Sequence, residues 1–399
     1  MKYTPYPEEL GQDTTWKALE RAQKKMEHQN EVRSWFKNIR SLVGLDGYVD
    51  SLYSLVASRE NVEDYNIMKS MVEFSSKINE VAGSSCNVER VLKKRLGGGF
   101  GPNIARAIGT LGSPVDLIGC LGRPDNVFTS TLPDNIQYHS LNEPGATCAL
   151  EFADGKIMLT DFSPVNAVTW DLIKGKLGKD KFLDIMEAAD AIGQGHWALV
   201  PHMNEIWQDW INEVFPSLKK KPRVFFIDPA DMSKRPANQI KEMLSLAAKI
   251  NEFEKMKVII SFNDKEIIQV LDALDRAAKI QDYTDYYTAG DEILKNVSIN
   301  TAIIHSPHFA TGTSENVSVH VKEGYTSNPH FTTAAGDHFN GGVLMAIASK
   351  KFQMDEALIL GNAATAYFVR TGTSPDIQAL YRFVSNYRSY VDKDIDEVL

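Results

Sequence analysis

Cysteine is scarce in this chain. Cys86, Cys120 and Cys148 stand far apart among 399 residues and form no C-x-x-C pair, so neither a disulfide framework nor a thiolate zinc site is expected. The nine histidines make no H-E-x-x-H spacing, which removes the common helical zinc motif. Long apolar runs are missing too. Nothing approaches the ~20 residues that span a bilayer, and the opening MKYTPYPEEL lacks a basic-then-apolar signal pattern. A reducing cytoplasm is the expected setting. Positive charge is in deficit, with 43 Lys+Arg against 52 Asp+Glu and a net charge of −9. That argues against a general nucleic-acid or acidic-membrane binder, which would carry a basic footprint. An anionic small ligand stays admissible, because local donors bind it rather than net charge.

Apolar side chains are plentiful. With 43% hydrophobic, 10% aromatic and 24% charged residues, the chain can bury a large core without covalent staples. Trp16, Leu19, Met26, Trp35, Phe36 and Ile39 recur at roughly helical intervals and predict one or two amphipathic helices over 14–40. Ser41–Gly44 reads as a first strand ending near 46–50, residues 62–82 as helix, 115–118 as strand, and 147–162 as a hairpin turning at Asp154-Gly155. Beyond 188, short apolar strands at 191–192, 224–227, 258–260 and 302–304 alternate with helical patterns such as Ile267, Leu271, Leu274 and Ala278. Such alternation predicts an α/β, doubly wound parallel sheet covered on both faces.

Ligands of such sheets bind beyond the carboxyl ends of the strands. Asp46, Asp50, Asp228, Asn263, Glu266 and His305 all fall at such ends. The most informative stretch is Thr332-Thr333-Ala334-Ala335-Gly336-Asp337, followed by the helical face of Phe339, Val343, Ala346 and Ile347. Small residues before a helix leave its N–H groups bare for an anion. Asp337 at that mouth is placed to accept a hydroxyl proton during phosphoryl transfer. Asp is also a common N-cap, so the stretch alone reads equally as a plain helix start. Gly98-Gly99-Phe100-Gly101-Pro102-Asn103 can bring backbone close to a ligand, or simply make a tight strand–helix turn. Asn263 and Glu266, three apart, can orient hydrated Mg²⁺ or form a capping box.

In their order, these three segments resemble the ribokinase-like (PfkB-type) carbohydrate kinase family. Gly98-Gly99 with Asn103, Leu111-Gly112 and Gly119 is similar to the N-terminal signature, Thr332 to Asp337 with Phe339-Asn340-Gly341 to the C-terminal signature, and Asn263-x-x-Glu266 to the family's Asn-x-x-Glu motif. The likeness runs over about 41–376. It implies a three-layer αβα ribokinase-like sandwich with a mainly parallel sheet and a small β lid, the lid elements lying at about 51–97 and 123–165 of a kinase domain spanning 41–399. Residues 1–40 form a helical extension. The resemblance further implies ATP as co-substrate, Mg²⁺, and a sugar or nucleoside acceptor. Asp337 is the implied general base, with Ala334, Ala335 and Gly336 as the anion hole. Asp50, Asp46, Gly98, Gly99 and Asn103 would hold substrate hydroxyls, with Gln194 and His196 as added contacts. Asn263 and Glu266 would serve the Mg²⁺–phosphate network, the metal through water, while Thr333, Asn362 and Gly372 would line the nucleotide side.

Several positions depart from the family pattern. Phe331 stands where an acid of the monovalent-cation site is usual, which counts against potassium activation. Residues 305–310 replace the glycine-bearing nucleotide segment, and Phe100 replaces the lysine of ribokinases proper. The alternatives are an ADP-dependent sugar kinase of the same superfamily and a non-catalytic sugar or nucleotide sensor. A Rossmann dehydrogenase lacks its glycine fingerprint after the first strand. The exposed edge of the 147–162 hairpin could be covered by pairing two lids, giving a homodimer.

Overall fold

The computed structural model describes residues 12–123, 127–276, 284–315 and 317–399. Its strands are β1 (Ser41–Gly44), β2 (Tyr48–Arg59), β3 (Tyr65–Ile67), β4 (Arg90–Gly98), β5 (Val115–Gly119), β6 (Ile136–Ser140), β7 (Gly145–Phe152), β8 (Gly155–Asp161), β9 (Ala191–Gly195), β10 (Arg223–Asp228), β11 (Met256–Asn263), β12 (Thr301–His305), β13 (Phe309–Ser314) and β14 (Val317–Lys322). Nine form one sheet in the order β14-β13-β12-β11-β10-β9-β1-β5-β6. Every pairing from β12 to β6 is parallel; the hairpin β13–β14 adds an antiparallel edge.

Two cores explain why these strands read as unbroken apolar runs. In β10, Phe225 and Ile227 enter the cluster around Trp197, Trp207 and Trp210 on one face. Val224 and Phe226 enter the cluster of Phe100, Ile104, Phe339 and Leu358 on the other. Successive side chains point to opposite faces, so a sheet buried on both must be apolar at every position.

The remaining strands make a smaller sheet, β3-β2-β7-β8 with β4 also on β2, over its own core of Leu55, Met68, Leu150 and Phe152. The expected first strand stops at Gly44, and β2 begins at Tyr48 and leaves for the small sheet. Residues 62–82 are not one helix. Tyr65–Ile67 pairs with β2, and the helix begins at Met71, where Ser70 accepts the Glu73 N–H and the Glu73 carboxylate accepts that of Lys69. This capping stops helix from extending backwards. Residues 51–97, without an assigned role in the sequence beyond the lid, supply most of three strands of that sheet. The helix through Ile267 and Leu271 runs Glu266–Ala273; Ala278 and the opening 1–11 lie outside the described residues.

Helices Gln12–Met26 and Gln29–Lys37 pack on the outer side of helices Met354–Thr371 and Ile377–Ser385. Arg21 pairs with Asp355 and with buried Glu356 (3.2 Å), which Lys25 also reaches at 2.6 Å. Among the described residues no helix is long and apolar enough to cross a membrane.

Candidate active site

The ends of β9, β10 and β11, the turn after β1, and the start of helix Ala335–Ser349 bring Asp46, His196, Asp228, Glu266 and Asp337 close enough for their charges to act on one another. The helix is entered through Ala334, held in the left-handed region at φ 71°, a strain that surrounding contacts must support. His338 supplies them. Its Nδ1 donates to the Ala334 carbonyl at 2.8 Å, its Nε2 accepts the Ser374 hydroxyl at 2.8 Å, and its ring stacks on Phe368. Burial lowers its pKa to about 4, so the ring is neutral and the carbonyl fixes its tautomer. The Ala335 N–H turns back to the Thr332 carbonyl at 3.2 Å. Of the three residues expected to line an anion hole, Ala335 thus has its N–H engaged, while among the described residues those of Ala334 and Gly336 are open, and that of Asp337 is one the helix cannot serve.

Asp337 is buried, and Asn103 Nδ2 donates to its Oδ2 at 2.8 Å. Burial, then the fields of Asp228 and Asp46, raise its pKa to about 7 against the opposing pull of His196 and Asn103. Asp46 is fully buried and engaged: Oδ1 accepts the Gly101 N–H (2.8 Å), and Oδ2 accepts Phe100 N–H (3.0 Å) and lies 2.6 Å from His196 Nδ1. Gly99 sits at φ 101°, and a Cβ there would meet Asp46 Oδ2 at 2.8 Å, so no side chain fits. Asp50 is half-buried beside Gly98, and among the described residues no hydrogen-bond donor reaches it. The two acids that the sequence left level thus differ in their bonding: Asp46 holds the Gly99 turn and His196, and Asp50 holds neither.

His196 is itself left-handed (φ 52°). Burial alone would lower its pKa, but the Asp46 carboxylate more than offsets this, and with Asp337 and Asp228 raises it to about 9. The imidazolium keeps Nε2 free on the side away from Asp46. Gln194 is buried and donates to the Gly193 carbonyl at 3.0 Å, while among the described residues its Oε1 has no partner. Phe100 is buried with its ring where any Cβ on Gly195 would stand, 2.1 Å away.

On the other side, Asp228 accepts the Ala230 N–H (2.9 Å) and Asn340 Nδ2 (2.7 Å), and Asn340 in turn accepts Ser261 Oγ at 2.8 Å. Glu266 takes the N–H of Asn263 at 2.9 Å and its Nδ2 at 2.7 Å, while Asn263 Oδ1 accepts the Glu266 N–H at 3.0 Å. These reciprocal bonds are those of the capping arrangement. Burial and then the field of Asp228 push Glu266 up to about 8. Thr333 is exposed near the mouth. Gly372 ends its helix at φ 70° directly beneath the Phe331 ring. Asn362 is fully buried and donates to the Lys322 carbonyl at 3.2 Å, tying β14 to the helix. Residues 305–310 form the tight turn between β12 and β13, with the His305 ring on Phe339 and His308 on Tyr325. No signal in the sequence marks the Asp46–His196 pair, whose members lie 150 residues apart. His338 carried one: a histidine directly after the acid.

The model of the prokaryotic ketohexokinase family matches residues 12–387. The chain belongs to that family. It is a carbohydrate kinase, a phosphotransferase acting on sugar, with the ribokinase-like fold. The ketohexokinase of Haloferax volcanii is 28% identical over 356 residues, 88% of this chain and 92% of that protein. Ribokinase from Thermotoga maritima superposes with a TM-score of 0.59 at 16% identity, over 87% of this chain and 99% of that one. Arabidopsis thaliana ribokinase, solved with ribose and ATP, gives 0.58 at 14%, over 87% and 98%. At these identities the two solved structures speak for the fold.

Proposed function

We propose that the protein moves the terminal phosphoryl group of ATP to a hydroxyl of a ketohexose, with Asp337 as general base. What carries the reading is the placement of Asp337: a buried carboxylate with a pKa near 7, hydrogen-bonded to Asn103, at a helix start whose open N–H groups attract an anion. The acceptor O–H proton passes to Asp337 as its oxygen attacks the γ-phosphorus; the bond from that phosphorus to the β–γ bridging oxygen breaks, and ADP leaves. Asp50, Asn103 and His196 Nε2 hold the remaining hydroxyls, the Asp50 carboxylate as a strong acceptor.

The metal fits the residues present. Asp228 and Glu266 repel one another across a buried site, a repulsion that a divalent cation would relieve. Among the described residues no three His, Cys, Asp or Glu are gathered tightly enough to ligate a metal directly. Hydrated Mg²⁺ carried by the nucleotide therefore suits Glu266 and Asn263, and would supply charge neutralisation of the phosphates. The small sheet serves as the lid, excluding water that would otherwise take the phosphoryl group.

A matrix of acceptors (ketohexoses, aldohexoses, ribose, nucleosides) against donors (ATP, ADP) tests the assignment. Coupled-enzyme turnover should concentrate in the ketohexose–ATP cell. Turnover with ADP would move the protein to the ADP-dependent class, and sugar binding without turnover would make it a sensor. We also infer that the lids pair. The small sheet and its helix expose Ile67, Val72, Ile78, Leu92, Leu96, Met158 and Leu159, an apolar concentration that a second copy would cover. Light scattering at micromolar concentration should return twice the chain mass; a monomer there removes this inference.

A further inference from the structure

Arg106 lies in the helix Phe100–Thr110, one turn beyond Asn103 and so on the same face, and neither the family signature nor the mechanism above uses it. It is mostly removed from solvent, and its Nε is buried without any hydrogen-bond partner. Nη2 makes one long bond, 3.4 Å, to the carbonyl of Gly97. Among the described residues no carboxylate lies within ion-pair distance of it. The charge that acts on it is that of Asp337, too distant for a salt bridge, and its own charge is felt by His338 on the next residue. A guanidinium withdrawn from water is normally paired. Here five N–H donors, in a fork that matches phosphate, are left almost wholly unused between the end of β4 and the proposed base.

We propose that Arg106 binds the transferred phosphoryl group on the acceptor side of Asp337, holding it as the phosphate ester of the sugar. The site's other anion donors, the N–H groups at the start of helix Ala335–Ser349, are fixed backbone. Arg106 reaches the same region from the opposite helix, by a flexible stem, and can follow the group as it moves from nucleotide to sugar. The Gly97 carbonyl ties it to the small sheet, so the guanidinium is set in place by the same element that covers the sugar. This rests on phosphoryl transfer to a sugar being the reaction.

The test uses the full chain with Arg106→Gln and Arg106→Lys. In calorimetry, Arg106→Gln should weaken binding of the sugar phosphate product by about ten- to a hundredfold, the scale of hydrogen bonds to a charged group, while free sugar binds within about twofold of wild type. Arg106→Lys should recover part of the loss. Inorganic phosphate, compared with chloride at equal ionic strength, should raise the melting temperature of wild type and not of Arg106→Gln. An unchanged product affinity with an unchanged phosphate shift would overturn the proposal, as would an equal loss of sugar and sugar phosphate binding, which marks a structural role. If Arg106→Gln does not fold, the lysine variant decides by the same two readouts. If wild type phosphorylates no sugar, the functional reading fails, and the phosphate shift alone still decides whether Arg106 binds the anion.

Discussion

Asp337→Asn should lower kcat by about 10²–10⁴-fold and, at pH 8, raise the melting temperature. The first effect follows from removing the proton acceptor while leaving Asn103, the helix start and the sugar acceptors in place, so sugar affinity should change little. The second follows from linkage. The carboxyl has a folded-state pKa of about 7 against an ordinary 3.8. A group raised in this way contributes stability that is fully present below the unfolded value and is lost as pH climbs through the folded one. Above pH 7 the buried charge therefore costs on the order of a few kcal/mol, and a neutral amide of the same shape avoids it. The melting-temperature difference between variant and wild type should open between about pH 4 and pH 7 and stay level above that. Wild-type kcat/KM should rise through about pH 7 as Asp337 ionises and fall through about pH 9 as His196 loses its proton. A variant that keeps most of its turnover would show that Asp337 is not the base; a melting-temperature gap that does not widen with pH would show that its charge is not strained.

Phe36→Ala carries the largest expected effect on the fold outside the site. Phe36 is fully buried in the helix Gln29–Lys37, 6.4 Å from the Phe352 ring, in the same core as Phe339 and Leu358. Truncating it removes a large apolar contact and leaves a cavity, and such changes cost about 3–5 kcal/mol. The amphipathic helices at the start of the chain would then be an integral wall of the kinase core, on the outer side of the helix that follows the Asp337 helix. Denaturant unfolding gives the measurement. A loss below about 1 kcal/mol, the range of surface substitutions and mild repacking, would make that segment a dispensable cap.

The sequence determined the class of fold and the strands of its second half, because strands buried on both faces must be apolar throughout, and 224–227, 258–260 and 302–304 are. It also marked out the short segments proposed to carry chemistry, since the small residues before Asp337 and the reciprocal Asn263–Glu266 pattern depend on neighbours in the chain. Local capping at Ser70 and Glu73 was equally there to be read, although apolar spacing over 62–82 concealed it. Tertiary structure alone set buried Asp46 apart from half-buried Asp50, because burial and the approach of His196 from 150 residues away are invisible to spacing. It alone enclosed Asn362, gave Phe100 its place on Gly195, and left Arg106 without a counter-ion. Each of these turns on how far a polar group is withdrawn from water and what meets it there, which depends on the packing of elements distant in the chain.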